Sequence, residues 1–462
     1  MKCECIRCLK DNFIGGFLVS NQQILFYPGD NGSKAYRIPS LTYTNENVLI
    51  AANDARLVNQ NDNPNQINNV IRRSYDNGLT WTNSQTTVAY LGDEGEDGPA
   101  AMDISLLHDQ VTDTVWGLFN HTPGGVGWYL SQTGTGYIDG DKKLIDGNHT
   151  VYRLLTDGQV QTQTGERTAY RVDKSGYVYL NERRLATIYT KFDETKTTQL
   201  FEIPTSFLQL MQSQDGGKTW SEPINLNLQV KEEWMGFIGS GPGIGIQLKH
   251  GKHRGRLVFP IYFTNELKLF SCAVIYSDDH GQTWQRGESP NDGRLSHATF
   301  LSAENYGKDF NQFELTESQV IERKNGDLVV FMRNHSGKSR VAKAVSQDGG
   351  QTWSQPVFDE ALVNPVCQFS LLNYRDASQT EKDFVLFLGP NSENDRVNGT
   401  LRLSQDGGET WIAEKVIEPN SFVYSCMTQL NDGQIGILYE TESDQPGFLQ
   451  STFVTLRLDE LQ

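Results

Sequence analysis

Long apolar runs are missing from this 462-residue chain, so no segment of it reads as a membrane-crossing helix. Positive charge is also short. Lys and Arg number 40 against 57 Asp and Glu, a formal net charge of −17. That excludes general nucleic-acid binding, because neutralising phosphates takes an excess of Lys and Arg. Cysteine is sparse, with six in all. Cys3, Cys5 and Cys8 cluster near the start, but no Cys or His nearby completes a tetrahedral metal site. Cys272, Cys367 and Cys426 are scattered through strand-like text and read as buried hydrophobes. None of the eight His falls in a His-Glu-x-x-His pattern. A secretion signal is lacking as well. Lys2 to Lys10 is polar, Phe13 to Ser20 is short and interrupted by Gly, and no small-x-small cleavage site follows. From the sequence alone the expected location is cytoplasmic. No ordinary amphipathic helix stands out either.

What the chain does have is turns. Gly numbers 43 and aromatic residues make up 10%, a profile typical of all-β proteins. One eight-residue pattern, Ser-x-Asp-x-Gly-x-Thr-Trp, occurs five times: Ser74–Trp81, Ser213–Trp220, Ser277–Trp284, Ser346–Trp353 and Ser404–Trp411. Each follows an apolar or alternating run and has the chemistry of a hairpin. The Asp carboxylate accepts hydrogen bonds from turn N–H groups, Gly supplies positive φ, and Trp folds back over the turn. A single hairpin cannot bury its apolar face, so repetition implies units arranged in a stack or a ring.

The five Trp residues stand 139, 64, 69 and 58 residues apart. About 60 residues suits one four-stranded propeller blade with generous loops. The long first interval is about two periods, room for one unit without the pattern, which predicts an all-β, six-bladed propeller. From residue 133 to 204 the text changes to short polar strands with turns at Asp146-Gly147, Asp157-Gly158 and Ser175-Gly176. This predicts a small inserted β domain, with the propeller formed by residues 1–132 and 205–462. The box Asp residues read as structural, so function has to come from elsewhere.

Tyr36-Arg37-Ile38-Pro39 precedes the first box. Pro39 removes a donor and biases Ile38 toward an extended backbone, as in an inner strand. An Arg in this apolar setting needs an anion, either a ligand or a structural partner. Together, Arg-Ile-Pro and the Asp boxes resemble the bacterial exo-α-sialidase (neuraminidase) family. The likeness continues through Asp54-Ala55-Arg56, Met102-Asp103, GSGPGIGIQL at 239–248, ESQVIE at 317–322, FMRNHSG at 331–337, NGTLRLS at 398–404 and VYSCMTQL at 423–430. The inserted segment resembles the extra β-rich domain of some Gram-positive sialidases.

The resemblance implies a retaining glycoside hydrolase that releases terminal α-linked sialic acid from sialylated glycans, glycoproteins or glycolipids. It implies no metal or cofactor. Arg37, Arg333 and Arg396 correspond to the three arginines that hold the substrate carboxylate, for which bidentate charge-assisted hydrogen bonds are suited. Glu440 corresponds to the carboxylate that steadies the first of them, and by itself reads equally as an ion pair at a strand end. Tyr424 matches the nucleophile and Glu317 its base. A neutral phenol avoids repulsion from the substrate's own carboxylate, but with a free pKa near ~10 it needs a base to attack at neutral pH. Asp62, in a polar loop that would otherwise be an ordinary surface turn, matches the acid/base. Arg56 resembles a contact to ring hydroxyls, and Asp103 a residue beside the N-acetyl group.

Two alternatives fit the same resemblance. An intramolecular trans-sialidase would release 2,7-anhydro or 2,3-dehydro sialic acid from the same covalent intermediate. A non-catalytic sialoglycan-binding propeller would keep the arginines and lose Tyr424, Glu317 or Asp62, all of which are present.

Overall fold

A computed structural model describes residues 22–296 and 298–461; Cys3, Cys5 and Cys8 lie outside them. The regular structure of the described chain is almost all strand, with one four-residue α-helix, Asn227–Val230, and a few 3-10 turns. Among the described residues, no helix is long and apolar enough to cross a membrane.

The architecture is an all-β propeller built from antiparallel sheets whose strands follow one another in the chain. Strands Leu315–Glu322, Leu328–Asn334, Arg340–Ser346 and Val357–Val363 make one such sheet, in that order. Ser370–Asn373, Val385–Pro390, Val397–Ser404 and Ala413–Ser421 make the next. A third, five-stranded sheet is centred on the paired strands Leu257–Thr264 and Phe270–Ser277. The last joins the two ends of the described chain, in the order Gln23–Phe26, Leu449–Leu456, Ile435–Glu442, Ser425–Gln429. An early strand thus closes a sheet made otherwise from the C-terminal part, which removes a free edge.

Hydrogen bonding therefore separates four sheets of four or five strands around the ring, not six. The remaining propeller strands, from Ala35–Tyr43 to Ile224–Asn225, form one continuous eight-stranded sheet. The physical reason is a parallel bridge between Ile67 and Ala100, which ties Ile67–Ser74 to Ala100–Asp109.

The position of the unit without a box also differs from expectation. Every box lies just after a strand that pairs onward, beginning at its last residue: Ser74, Ser213, Ser277, Ser346 or Ser404. The long first interval contains no silent unit. It contains the separate sheet of strands from Tyr137–Ile138 to Leu200–Glu202. The sheet without a box is the closing one, where the next strand comes from the other end of the chain and no continuous turn exists to carry the pattern.

Inside each box the chemistry is uniform. The Asp accepts hydrogen bonds from the Ser hydroxyl and the Thr N–H, at 2.7 Å and 2.8 Å in the first copy. Gly78 takes φ of +86°, and a Cβ there would fall 2.2 Å from the Phe453 ring. Trp81 then packs edge-on against Phe453 at 5.1 Å between ring centres, so the turn also joins neighbouring sheets.

The sheet spanning Tyr137 to Glu202 branches between Thr114–Thr122 and Phe207–Ser213, two strands that pair directly with each other. It has its own core of Leu144, Val160, Val172, Val178, Ile188 and Leu200. Buried Glu202, which accepts from Lys142 of the same sheet, attaches it to the ring by sitting 2.7 Å from His121 Nε2.

Candidate active site

Several candidate residues occur where regular strand pairing breaks. In Ala35–Tyr43 the register shifts between Arg37 and Ser40. In Ala100–Asp109 it shifts between Met102 and Ser105, and in Leu315–Glu322 between Leu315 and Ser318. Arg37, Asp103 and Glu317 all lie at these bulges, which re-aim side chains that a regular pleat would alternate between faces. Ile38 is not extended as its place before Pro39 suggests. Its φ is +64°, a strained value for a β-branched residue. The conformation is held by Glu440, whose Oε1 accepts from the Ile38 N–H at 2.6 Å. Asp103 likewise has φ of +60°, with its N–H donating to Asp54 Oδ1 at 2.9 Å.

Glu440 is fully buried and serves three donors. Besides Ile38, its Oε1 accepts from Arg37 Nε at 2.8 Å and its Oε2 from the Tyr424 N–H at 3.2 Å. One carboxylate thus fixes both Arg37 and the backbone that presents Tyr424. The Tyr424 hydroxyl donates to Glu317 Oε1 and accepts from Arg333 Nη1 at 3.1 Å. Arg333 Nη1 also lies 2.6 Å from Glu317 Oε2. The guanidinium carbons of Arg37 and Arg396 stand 5.3 Å and 5.8 Å from the centre of the Tyr424 ring. Three arginines from distant parts of the chain therefore surround one phenol.

On the other side of this group, the Asp62 loop is tied down by amides. Asn65 Nδ2 donates to the carbonyls of Asn59 and Asn61, at 3.1 Å and 2.9 Å. Asn63 Nδ2 reaches Thr122 Oγ1 at 2.6 Å. The Asp62 carboxylate is largely exposed and lies 2.8 Å from buried Arg56, whose Nη1 also donates to Gln60 O at 2.7 Å. Seven of the nine expected residues (Arg37, Asp62, Asp103, Glu317, Arg333, Arg396 and Tyr424) line one cavity of about 270 Å³. The other two support it: Arg56 holds Asp62, and Glu440 lies behind Arg37.

The charge states follow from these surroundings. Burial pushes the Tyr424 phenol well above its usual pKa and Glu317 adds to that, against the pull of Arg333 and Arg396. The resting side chain is a neutral phenol. The protein packed around the pocket draws water away from Asp62 and would raise its carboxyl, but Arg56 and Arg37 outweigh this and hold it below its usual range. Asp54 is pushed up to about 7 by burial, with Arg56 opposing. Burial and the nearby Asp54 and Asp62 raise Asp103 well above normal. His335, 3.0 Å from Thr316 Oγ1, is lowered to about 4 by burial and Arg333, and is neutral.

Sequence reasoning left parts of this cavity unassigned. Asp54 was visible only as a neighbour of Arg56; the two share a strand face, two residues apart. Trp128, Tyr262, Phe270 and Met102 also line the cavity. Tyr262 donates to Asp103 Oδ2 at 3.3 Å, although in Phe259-Pro260-Ile261-Tyr262 it reads as ordinary core. A polar tip on an otherwise apolar strand was the only available signal.

Several known proteins are similar to this chain. The family model for the BNR repeat-like domain matches residues 177–437. An anhydrosialidase of Macrobdella decora is 28% identical over 477 residues, covering 90% of this chain and 59% of that protein. A sialidase of Bacteroides fragilis is 29% identical over 429 residues, covering 90% and 61%. The chain thus spans about three-fifths of the length of these curated relatives. Among solved structures, the intramolecular trans-sialidase from Ruminococcus gnavus, in complex with oseltamivir carboxylate, is similar with a TM-score of 0.77 at 25% identity. That likeness covers 95% of this chain and 98% of that one. A leech intramolecular trans-sialidase, complexed with 2,7-anhydro-Neu5Ac, has a TM-score of 0.78 at 24% identity, covering 96% and 71%.

Proposed function

The chain belongs to the BNR repeat-like family, and from that premise we propose that it is a retaining exo-α-sialidase acting on terminal sialic acid of sialylated glycans. The observation that carries this reading is the Tyr424 phenol, hydrogen-bonded to Glu317 and Arg333 and flanked by Arg37 and Arg396. A buried phenol with a carboxylate base has the parts of an activated nucleophile, and three converging guanidiniums suit a substrate that carries a carboxylate at its reacting carbon.

In the first step Tyr424 Oη bonds to the anomeric carbon while Glu317 takes the phenol proton. The bond from that carbon to the glycosidic oxygen breaks, and Asp62 gives its proton to the departing oxygen. In the second, water attacks the same carbon and passes its proton to Asp62. The Tyr424 bond breaks and Glu317 returns its proton, so configuration is retained overall. Asp62 is ionised in the free protein, held so by arginines. A substrate carboxylate seated on Arg37, Arg333 and Arg396 offsets that positive charge and raises the Asp62 pKa, so binding itself prepares the acid. Asp103, which accepts from the Tyr262 hydroxyl, offers a polar edge to the sugar ring.

One observation favours a second outcome: the similar solved structures include intramolecular trans-sialidases, one matched over nearly its whole length. There the sugar's own 7-hydroxyl replaces water and yields the 2,7-anhydro product. Nuclear magnetic resonance of the sugar released from 2,3- and 2,6-linked sialyllactose separates the cases. Free α-sialic acid as the first product supports hydrolysis. An anhydro or dehydro sugar supports the second outcome, and absence of any release refutes both.

The eight-stranded sheet reads as two four-stranded blades in contact, each with one box, so that six blades surround the site. Residues 133–204 read as an inserted β unit on the second of them. The four-stranded halves on either side of the Ile67–Ala100 bridge support that division.

A further inference from the structure

A second cavity adjoins the first. It has a volume of about 570 Å³ and lies between the loop carrying Asp62 and the turn at residues 443–448. Arg37, Asp62 and Arg396 line both cavities. Resting on the sialidase reading, this shared wall orients the substrate. In a sialoside the carboxylate and the glycosidic oxygen are substituents of one carbon. The residues that must meet those two groups are the arginines and the acid, and two of those arginines, Arg37 and Arg396, form the boundary together with Asp62. The reacting carbon therefore sits at the boundary, with the ring in the cavity that holds Tyr424 and the leaving group on the other side.

We propose that the larger cleft is the leaving-group site and that it selects a neutral sugar over a second anionic one. Phe448 and Leu449, both half-buried, supply an apolar wall against which the C–H face of a pyranose can pack. Across from them, Gln60 and Asn61 belong to the amide-rich loop. Glu442 lines the same cleft with an exposed carboxylate. A neutral hexose tolerates that charge, whereas the carboxylate of a second sialic acid is repelled by it. A cleft of several hundred Å³ has room for such a group.

The test compares kcat/KM for three substrates: methyl α-sialoside, 3′-sialyllactose and α2,8-linked disialic acid. Turnover of the methyl sialoside by the wild type examines the parent reading alone; its absence overturns that reading and this proposal with it. Given that turnover, Phe448→Ala lowers the ratio of sialyllactose to methyl sialoside about tenfold. Glu442→Gln raises the ratio of disialic acid to sialyllactose roughly threefold, and the gain shrinks as salt is added. Ratios are taken within one protein, so a general loss of fold cancels, and Phe448→Leu replaces the Ala variant if that one fails to fold. An unchanged sialyllactose ratio in the Phe448 variant overturns the site. A shifted Phe448 ratio with an unmoved Glu442 ratio overturns the charge selection alone.

Discussion

Replacing Glu440 by Gln removes a charge without removing volume. In the wild type this carboxylate accepts from Arg37 Nε at 2.8 Å, Ile38 N at 2.6 Å and Tyr424 N at 3.2 Å, and it is fully buried. The amide keeps one acceptor oxygen but turns an NH2 group toward at least one of those donors. Breaking a buried ion pair by altering one partner costs roughly 3–5 kcal/mol. Arg37 opens partly onto the cavity, with 14% of its side chain exposed, so the low end, about 3 kcal/mol, applies. Unfolding entropy of about 2.1 cal/mol/K per residue makes roughly 1 kcal/mol/K for 462 residues melting together, so Tm falls by about 3 °C. The catalytic loss is larger than the thermal one. Ile38 is freed from its positive φ, Arg37 loses its anchor and the Tyr424 backbone loses an acceptor, so kcat/KM falls about a hundredfold, as for a displacement near 1 Å. Differential scanning fluorimetry and steady-state kinetics on 3′-sialyllactose measure the two effects. A variant within about 1 °C of wild type and with kcat/KM unchanged refutes the assignment of Glu440 as the anchor of the site.

Tyr424→Phe abolishes normal turnover, by roughly 10⁴ in kcat, while calorimetry still detects sialic-acid binding; retention of most of the activity sinks the nucleophile role. Asp62→Asn slows cleavage of sialyllactose by about 10²–10³ but an aryl sialoside far less, because a phenolate leaves without a proton; equal losses on both substrates contradict the acid role. Asp54, raised to about 7 in the folded protein from about 3.9 unfolded, contributes stability that is fully present below pH ~4 and lost as pH rises through about 7. Urea unfolding at pH 4 and pH 8 therefore shows a smaller decline for Asp54→Asn than for wild type, by a few kcal/mol at most. A steeper decline in the variant reverses the sign and overturns the assignment.

Much of the molecule could be read from local text. Ser, Asp, Gly and Thr at fixed offsets make a turn whose hydrogen bonds close within eight residues, so five copies announced five hairpins. Position in the ring was less visible. The closing sheet takes one strand from Gln23–Phe26 and three from the C-terminal part, a pairing that no local pattern records, and its missing box was assigned to the wrong interval. Trp128, Tyr262 and Phe270 escaped notice because an aromatic residue lining a cavity and one filling a core look alike in a strand.

The sequence by itself determined the strand-and-turn repeat and the acidic balance, which depend on residue identity and short spacing. Its resemblance to sialidases, through Arg-Ile-Pro and companion motifs, pointed to the nine candidate side chains. Only the tertiary structure decided how those side chains meet. Positive φ at Ile38 and Asp103, the bulges that carry Arg37, Asp103 and Glu317, and the protonation of Tyr424, Asp62 and Asp54 arise from partners as much as 402 positions away, as for Ile38 and Glu440. A strained backbone and a shifted pKa are properties of burial and neighbouring charge, which exist only after the ring has closed.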